Sequence, residues 1–263
     1  MDPAPNSELV HYTDRGEGPA LVLVHGLMMT GEMFAPVLDR LSAHFRVITP
    51  DLRGHGQSRH LPPPFTVAEL AADLSRLLDH LDITSTAVLG YSHGGTVAQQ
   101  LVVDDRVRCT RLILACTYAY NMASARERVE SHVGLVLIRA LGLRGLARLI
   151  FAPVRDELGP AQALRLTGLM ARQDKALMLQ AWREMMRFDS RPWLARIACP
   201  TLVVAASNDI GVPAHHARAL HQGIPGSELV VVTGADHALI WTHTEQFLSI
   251  VEAFLDPSAP NAR

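Results

Sequence analysis

Six short runs of the chain are continuously apolar rather than alternating: LeuValLeuValHis (21–25), ArgValIleThrPro (46–50), AlaValLeuGly (87–90), ArgLeuIleLeuAla (111–115), ThrLeuValValAla (201–205) and LeuValValVal (229–232). Strands of that kind are buried on both faces, the condition of a parallel sheet covered by helices. Stretches with helical spacing separate several of them. Over Thr66–Leu81, for instance, Leu70, Leu74, Leu77, Leu78 and Leu81 recur on one face. Repetition of strand, helix and strand predicts an α/β fold, with a mostly parallel sheet and helices on both faces.

From about Asn121 to Trp193 the rhythm stops, and Met170, Leu177, Met178, Trp182, Met185 and Met186 fall on apolar helical faces. This predicts a helical cap insertion over 121–193, interrupting a core domain formed by 1–120 and 194–263. With 263 residues, 48% of them hydrophobic, the chain can bury one large core. A net charge of -2 and the lack of any block of like charges point away from nucleic acid and anionic membranes. A small or neutral molecule is the expected partner, and the oligomeric state stays open. Lys175 is the lone lysine, so Schiff-base chemistry has a single, polar candidate. Apolar stretches such as Gly134–Leu143 are short, and that one is broken by Arg139, which predicts no membrane span. Cys109, Cys116 and Cys199 are scattered and lack metal-ligand spacing, which suits a reducing, cytoplasmic setting. The start, MetAspProAlaProAsnSerGlu, has neither a basic nor an apolar segment, so no signal peptide is expected. ProProPro at 62–64 reads as a loop and the tail after Leu255 as a frayed end.

ValLeuGlyTyrSerHisGlyGly (88–95) places Ser92 just after a predicted strand and before a helical pattern. A serine there can simply cap a helix. In an open parallel sheet, however, the carboxyl ends of the strands are where ligands bind. Gly90 and Gly94 complete the Gly-x-Ser-x-Gly pattern of a nucleophile elbow, where small neighbours let strand and helix approach closely. A serine hydroxyl needs a base and an orienting acid to act as a nucleophile. AlaSerAsnAspIleGlyValPro puts Asp209 after the fifth run, and GlyAlaAspHisAlaLeu puts His237 after the sixth, in the chain order that the elbow fold uses.

These residues resemble the α/β-hydrolase superfamily over nearly the whole chain. HisGlyLeuMet (25–28) is similar to its oxyanion loop, and AspLeuArgGlyHisGlyGlnSer (51–58) to its loop after the following strand. The resemblance implies Ser92 as nucleophile, His237 as general base and then acid, Asp209 as its orienting carboxylate, and the Leu27 and His93 amides as the oxyanion hole. It implies no cofactor and no metal. Asp236, adjacent to His237, reads as a loop residue. The other position that some members use for the acid holds Cys116 and Thr117. His93 is expected to donate through its backbone, with its imidazole lining the pocket or packing on the insertion. His215, His216 and His221 read as a solvated helix face, and Arg53, His55 and Ser58 as structural. Met28, Tyr118, Tyr120, Met122, Trp182, Met186 and Trp241 are the expected substrate contacts.

A serine at position 92 argues against haloalkane dehalogenases and most epoxide hydrolases, which carry aspartate there. Ala238 stands where enzymes cleaving carbon-carbon bonds of ring-fission products often carry tryptophan. The fragments AlaGlnGln (98–100) and ArgCysThrArgLeuIleLeuAla (108–115) look similar to enol-lactonases and intracellular polyester depolymerases. The expected activity is therefore that of an esterase or lactonase on an apolar acyl substrate. A carbon-carbon hydrolase and a catalytically silent ligand-binding relative remain the alternatives, and cofactor-free perhydrolase side activity would look identical in sequence.

Overall fold

The computed structural model describes residues 8–256, so the tail from Pro257 and all but Glu8 of the N-terminal segment lie outside the described residues. Seven strands form one sheet: β1 (Tyr12–Arg15), β2 (Ala20–Val24), β3 (Arg46–Pro50), β4 (Thr86–Tyr91), β5 (Cys109–Ala115), β6 (Thr201–Ala206) and β7 (Glu228–Val232). Their order is β1-β3-β2-β4-β5-β6-β7, with β1 antiparallel to β3 and every other pair parallel. The helices are α1 (Ala35–Ser42), α2 (Val67–His80), α3 (His93–Asp104), α4 (Ala125–Phe151), α5 (Arg155–Leu158), α6 (Pro160–Ala171), α7 (Lys175–Met185), α8 (Ala214–Gly223), α9 (Leu239–Thr242) and α10 (Thr244–Leu255).

Because side chains alternate along a strand, each central strand feeds two cores. Leu21, Leu23 and Leu89 pack with Val37 and Leu41 of α1 and Phe247 and Val251 of α10. Val22, Val24 and Val88 pack instead with Leu70 and Leu74 of α2, Val97 and Leu101 of α3 and Leu220 of α8. The start of α2 is set locally, since the Thr66 hydroxyl accepts the Glu69 amide at 3.2 Å and so satisfies one of the free donors of the first turn.

Two elements depart from the sequence expectation. Residues 229–232 are not buried on both faces, because β7 is an edge strand with Val231 47% exposed. The antiparallel β1, TyrThrAspArg, lacks an apolar run because it forms the opposite edge, with only Tyr12 buried. Between β5 and β6 the chain forms the helices α4 to α7. Helix α4 bends at Gly142, whose φ of +67° is open to glycine and strained for other residues. Ile138, Leu146, Leu166, Met170 and Met178 of this segment share one apolar cluster with Met28, Met29, Cys116 and Leu239, so the helices sit on the carboxyl-terminal side of the sheet. No helix among the described residues is long and apolar enough to cross a membrane.

Candidate active site

Ser92 stands between β4 and α3 with φ +54° and ψ -124°, a conformation that costs a non-glycine residue energy and that its surroundings must enforce. The Ser92 amide donates to the Ala115 carbonyl at 2.9 Å, and the Gly95 amide donates back to the Ser92 carbonyl at 2.9 Å. The flanking glycines are steric requirements. A Cβ on Gly90 would lie 2.5 Å from the Gly94 carbonyl oxygen, and one on Gly94 would run into the carbonyls of Val24 and His25. Helix α3 can therefore start directly on top of β2 and β4.

His237 and Asp209 arrive from the loops after β7 and β6. His237 Nε2 lies 3.1 Å from Ser92 Oγ, and His237 Nδ1 lies 2.7 Å from Asp209 Oδ2. The second Asp209 oxygen accepts the Val212 amide at 2.7 Å, which fixes the carboxylate. The Asp209 side chain is 1% exposed, and that of His237 is 37% exposed. Burial pulls the His237 pKa down, but the charge and hydrogen bond of Asp209, with the charge of Asp236, outweigh it and the net direction is up. Asp236 itself turns away to accept the Ala238 amide at 2.7 Å. Tyr91, the residue before Ser92, has a part that the elbow motif does not signal. Its hydroxyl donates to the His237 carbonyl at 2.8 Å, and its ring meets the imidazole edge-on at 5.9 Å. Cys116, φ +47°, fills the position next to Asp209, and burial pushes its thiol well above the ordinary range.

The HisGlyLeuMet turn is pinned by a histidine whose part the motif alone did not reveal. His25 Nδ1–H donates to the Gly26 carbonyl at 2.8 Å, so Nε2 accepts the Leu52 amide at 2.8 Å, and burial keeps the ring neutral by lowering its pKa. Leu27 precedes Met28, whose φ is +63°. Among the described residues, neither the Leu27 nor the His93 amide donates a hydrogen bond outside its own turn or helix. The His93 imidazole is 1% exposed and donates from Nδ1 to Thr96 Oγ1 at 3.2 Å, beside His25. It packs within the sheet domain. The 51–58 loop is held by buried ions. Arg53 donates to both Asp73 oxygens at 2.7 Å, and Asp51 accepts the Gly31 and Gln57 amides at 2.9 Å.

The expected substrate contacts separate into two groups. Met28 and Tyr118 are buried next to the turn and to β5, and Met186 is buried at the end of α7, while Tyr120 and Met122 sit half-buried where the insertion begins. Tyr120 pairs with Asp189 across the base of the insertion, and the Arg191 guanidinium lies 4.0 Å over its ring. The two tryptophans are committed to packing. Trp182 donates its indole N–H to the Ser131 carbonyl at 3.1 Å across α4, and Trp241 donates to the Met33 carbonyl at 3.1 Å while its ring faces Tyr91. Two open surface grooves lie elsewhere, along Arg128, Val129, His132, Val133 and Val136 of α4 and beside Pro63, Pro64 and Phe65. The solvated-face expectation for α8 fails at His216, which is 4% exposed; His221 is exposed, as expected, and bonds Ser227 at 3.0 Å, and Glu127 of α4 reaches both His216 and the partly exposed His215. Burial and the neighbouring His215 push the His216 pKa down to about 4.

Residues 19–244 match the α/β hydrolase fold family, and the chain belongs to it. Over 264 residues it is 32% identical to a pimeloyl-[acyl-carrier protein] methyl ester esterase of Xanthomonas axonopodis pv. citri (strain 306), covering 94% of this chain and 98% of that protein. It is 35% identical to a magnesium-chelatase 30 kDa subunit of Rhodobacter capsulatus over 224 residues, 77% of this chain and 75% of that one. An enol-lactonase from Burkholderia xenovorans LB400 superposes with a TM-score of 0.84 at 28% identity, covering 94% of this chain and 96% of that chain.

Proposed function

We propose that the protein is a serine esterase or lactonase of small molecules with an apolar acyl group, working through an acyl-enzyme on Ser92. The observation that carries this reading is the continuous relay Asp209, His237, Ser92, with links of 2.7 and 3.1 Å, ending on a serine in a strained turn. Asp209 holds His237 with Nδ1 protonated, so Nε2 presents a lone pair to the Ser92 hydroxyl. Ser92 Oγ attacks the ester or lactone carbonyl as His237 Nε2 takes its proton. The oxyanion falls to the Leu27 and His93 amides, a type of contact worth about 3 kcal/mol per donor. His237 then returns the proton to the departing alkoxide, which leaves as alcohol or stays attached as the opened lactone. Water, deprotonated by His237, releases the acid and restores Ser92. No cofactor enters this sequence.

Residues 121–193 act in this reading as a cap over the acyl site, with Met28, Tyr118, Tyr120, Met122 and Met186 as its apolar lining. The ester and lactone hydrolases among the relatives support the substrate class. Three unpaired thiols favour a cytoplasmic setting. The test is labelling with a fluorophosphonate, wild type beside Ser92→Ala, followed by intact mass and peptide mapping. A single adduct on the peptide containing Ser92, absent from the variant, is the expected result; a folded wild type that stays unlabelled overturns the proposal.

A further inference from the structure

Glu127, His215 and His216 converge where the first turn of α4 meets the first turn of α8. Glu127 is placed by its own helix start, because Ser124 Oγ accepts the Glu127 amide at 3.1 Å and Glu127 Oε2 accepts the Ala123 amide at 2.7 Å. From α8, His215 Nε2 lies 3.0 Å from Oε1 and His216 Nε2 lies 3.5 Å from Oε2. The two imidazoles are neighbours with centroids 4.1 Å apart and planes tilted by 36°, so both rings present Nε2 to the same carboxylate.

We propose that these three side chains bind one divalent first-row transition metal ion, of the Zn²⁺ type, which joins the helical insertion to the sheet domain. Four ligands at about 2.0–2.1 Å in a tetrahedron stand about 3.3 Å from one another. The nitrogen-to-oxygen separations of 3.0 and 3.5 Å, one to each oxygen of the Glu127 carboxylate, lie near that edge, and one ligand atom from each residue lies within 4.8 Å of the others. Two imidazole nitrogens with one carboxylate oxygen suit zinc, cobalt or nickel better than magnesium or calcium, which prefer all-oxygen shells. A plain ion pair accounts for His215 but leaves the second imidazole unexplained. His216 is 4% exposed, its Nε2 faces an oxygen already taken by the Ala123 amide, and its Nδ1 has no hydrogen-bond partner. Tyr118 and Tyr120 back the His216 ring at 5.9 and 5.6 Å, while the His215 side chain is 39% exposed. The site is thus walled on one side and open to water, as entry of an ion and a solvent fourth ligand require.

Cys116, Asp209 and His237 also offer three ligand atoms within 4.8 Å, so the test separates the two positions. The full chain, stripped with EDTA, is titrated with Zn²⁺ alone by calorimetry and with Co²⁺ while visible absorption is followed. One equivalent with the intense bands of four-coordinate cobalt, and a melting temperature raised by Zn²⁺, are expected for wild type. Glu127→Gln and, independently, His215→Gln weaken binding at least about tenfold and lose the thermal shift, while Cys116→Ser retains both. His215→Gln alters a partly exposed ring and keeps the test alive should Glu127→Gln disturb the helix start. Absence of binding to wild type overturns the proposal. So does binding that survives both variants, or binding that disappears in Cys116→Ser.

Discussion

His237 and His215 each hold a carboxylate at hydrogen-bond distance, 2.7 Å to Asp209 and 3.0 Å to Glu127. Their surroundings differ in what fixes the partners. Around His237 every contributor stands on a turn at the end of a strand, and Asp209 is locked by a second bond from the Val212 amide. The third group is a hydroxyl held at φ +54°. Around His215 the contributors are side chains on the ends of two helices, and the third group is another imidazole rather than a hydroxyl. A histidine beside a carboxylate is therefore not a sign of acyl transfer by itself. The backbone decides, by what it places opposite the other ring nitrogen.

The sharpest way to break this contrast is at Ser92. Ser92→Ala keeps the Cβ and the turn, so melting stays near wild type, while ester turnover falls by about 10⁶-fold; residual activity above about 1% of wild type would remove Ser92 from the chemistry. Next in size is Asp209→Asn, which favours the wrong histidine tautomer and costs about 10⁴-fold in kcat. Asp236→Asn, in the same loop as His237 but bonded to the Ala238 amide, costs less than about tenfold. Reversal of that order would hand the orienting role to Asp236.

Two glycines extend the contrast to stability. At Gly94 an added methyl meets the Val24 and His25 carbonyls at the end of β2, which are backbone and cannot move aside. Gly94→Ala is expected to cost about 3 kcal/mol or more by denaturant unfolding, at the upper end of overpacking. At Gly142 the bend in α4 faces open space, and only the backbone conformation, φ +67° with ψ 178°, opposes a side chain. Gly142→Ala costs about 1–3 kcal/mol there, because positive φ with extended ψ is a glycine-only conformation. Equal losses would mean that the insertion is as tightly determined as the elbow.

The same division explains what could be read from the sequence. Apolar runs announce strands, and strand ends carry the elbow, so β2 to β7 and the Ser92, Asp209, His237 set were visible as a pattern of neighbours along the chain. The edge strand β1 was obscured because three of its four residues meet solvent, which removes the apolar signal, whereas β7 was visible as a run and only its solvent-facing side was not. Tyr91 and His25 sit inside the quoted motifs, but their parts depend on a carbonyl and an amide contributed from distant segments. Glu127 could not be found at all. Its partners lie on the far side of the helical insertion in sequence, and helix periodicity fixes which face a residue takes, not which helix it meets. The packing parts of Trp182 and Trp241 were hidden for a related reason: an indole N–H must find an acceptor when buried, and both found backbone carbonyls far away along the chain.

The smallest expected effect tests the electrostatics of His237 directly. Because the net shift of its pKa is upward, the imidazole stays protonated to higher pH than a free histidine, whose midpoint is about 6.5. A protonated His237 cannot accept the Ser92 proton, so kcat/KM for a neutral ester rises with pH through a single group above that value. Asp236 contributes to the upward shift through its charge alone, so Asp236→Asn should slide the acid limb to lower pH without changing its slope. A limb that stays in place would show that the Asp209 contact alone sets the poise of the base. A limb that moves to higher pH would mean that the group titrating is not His237.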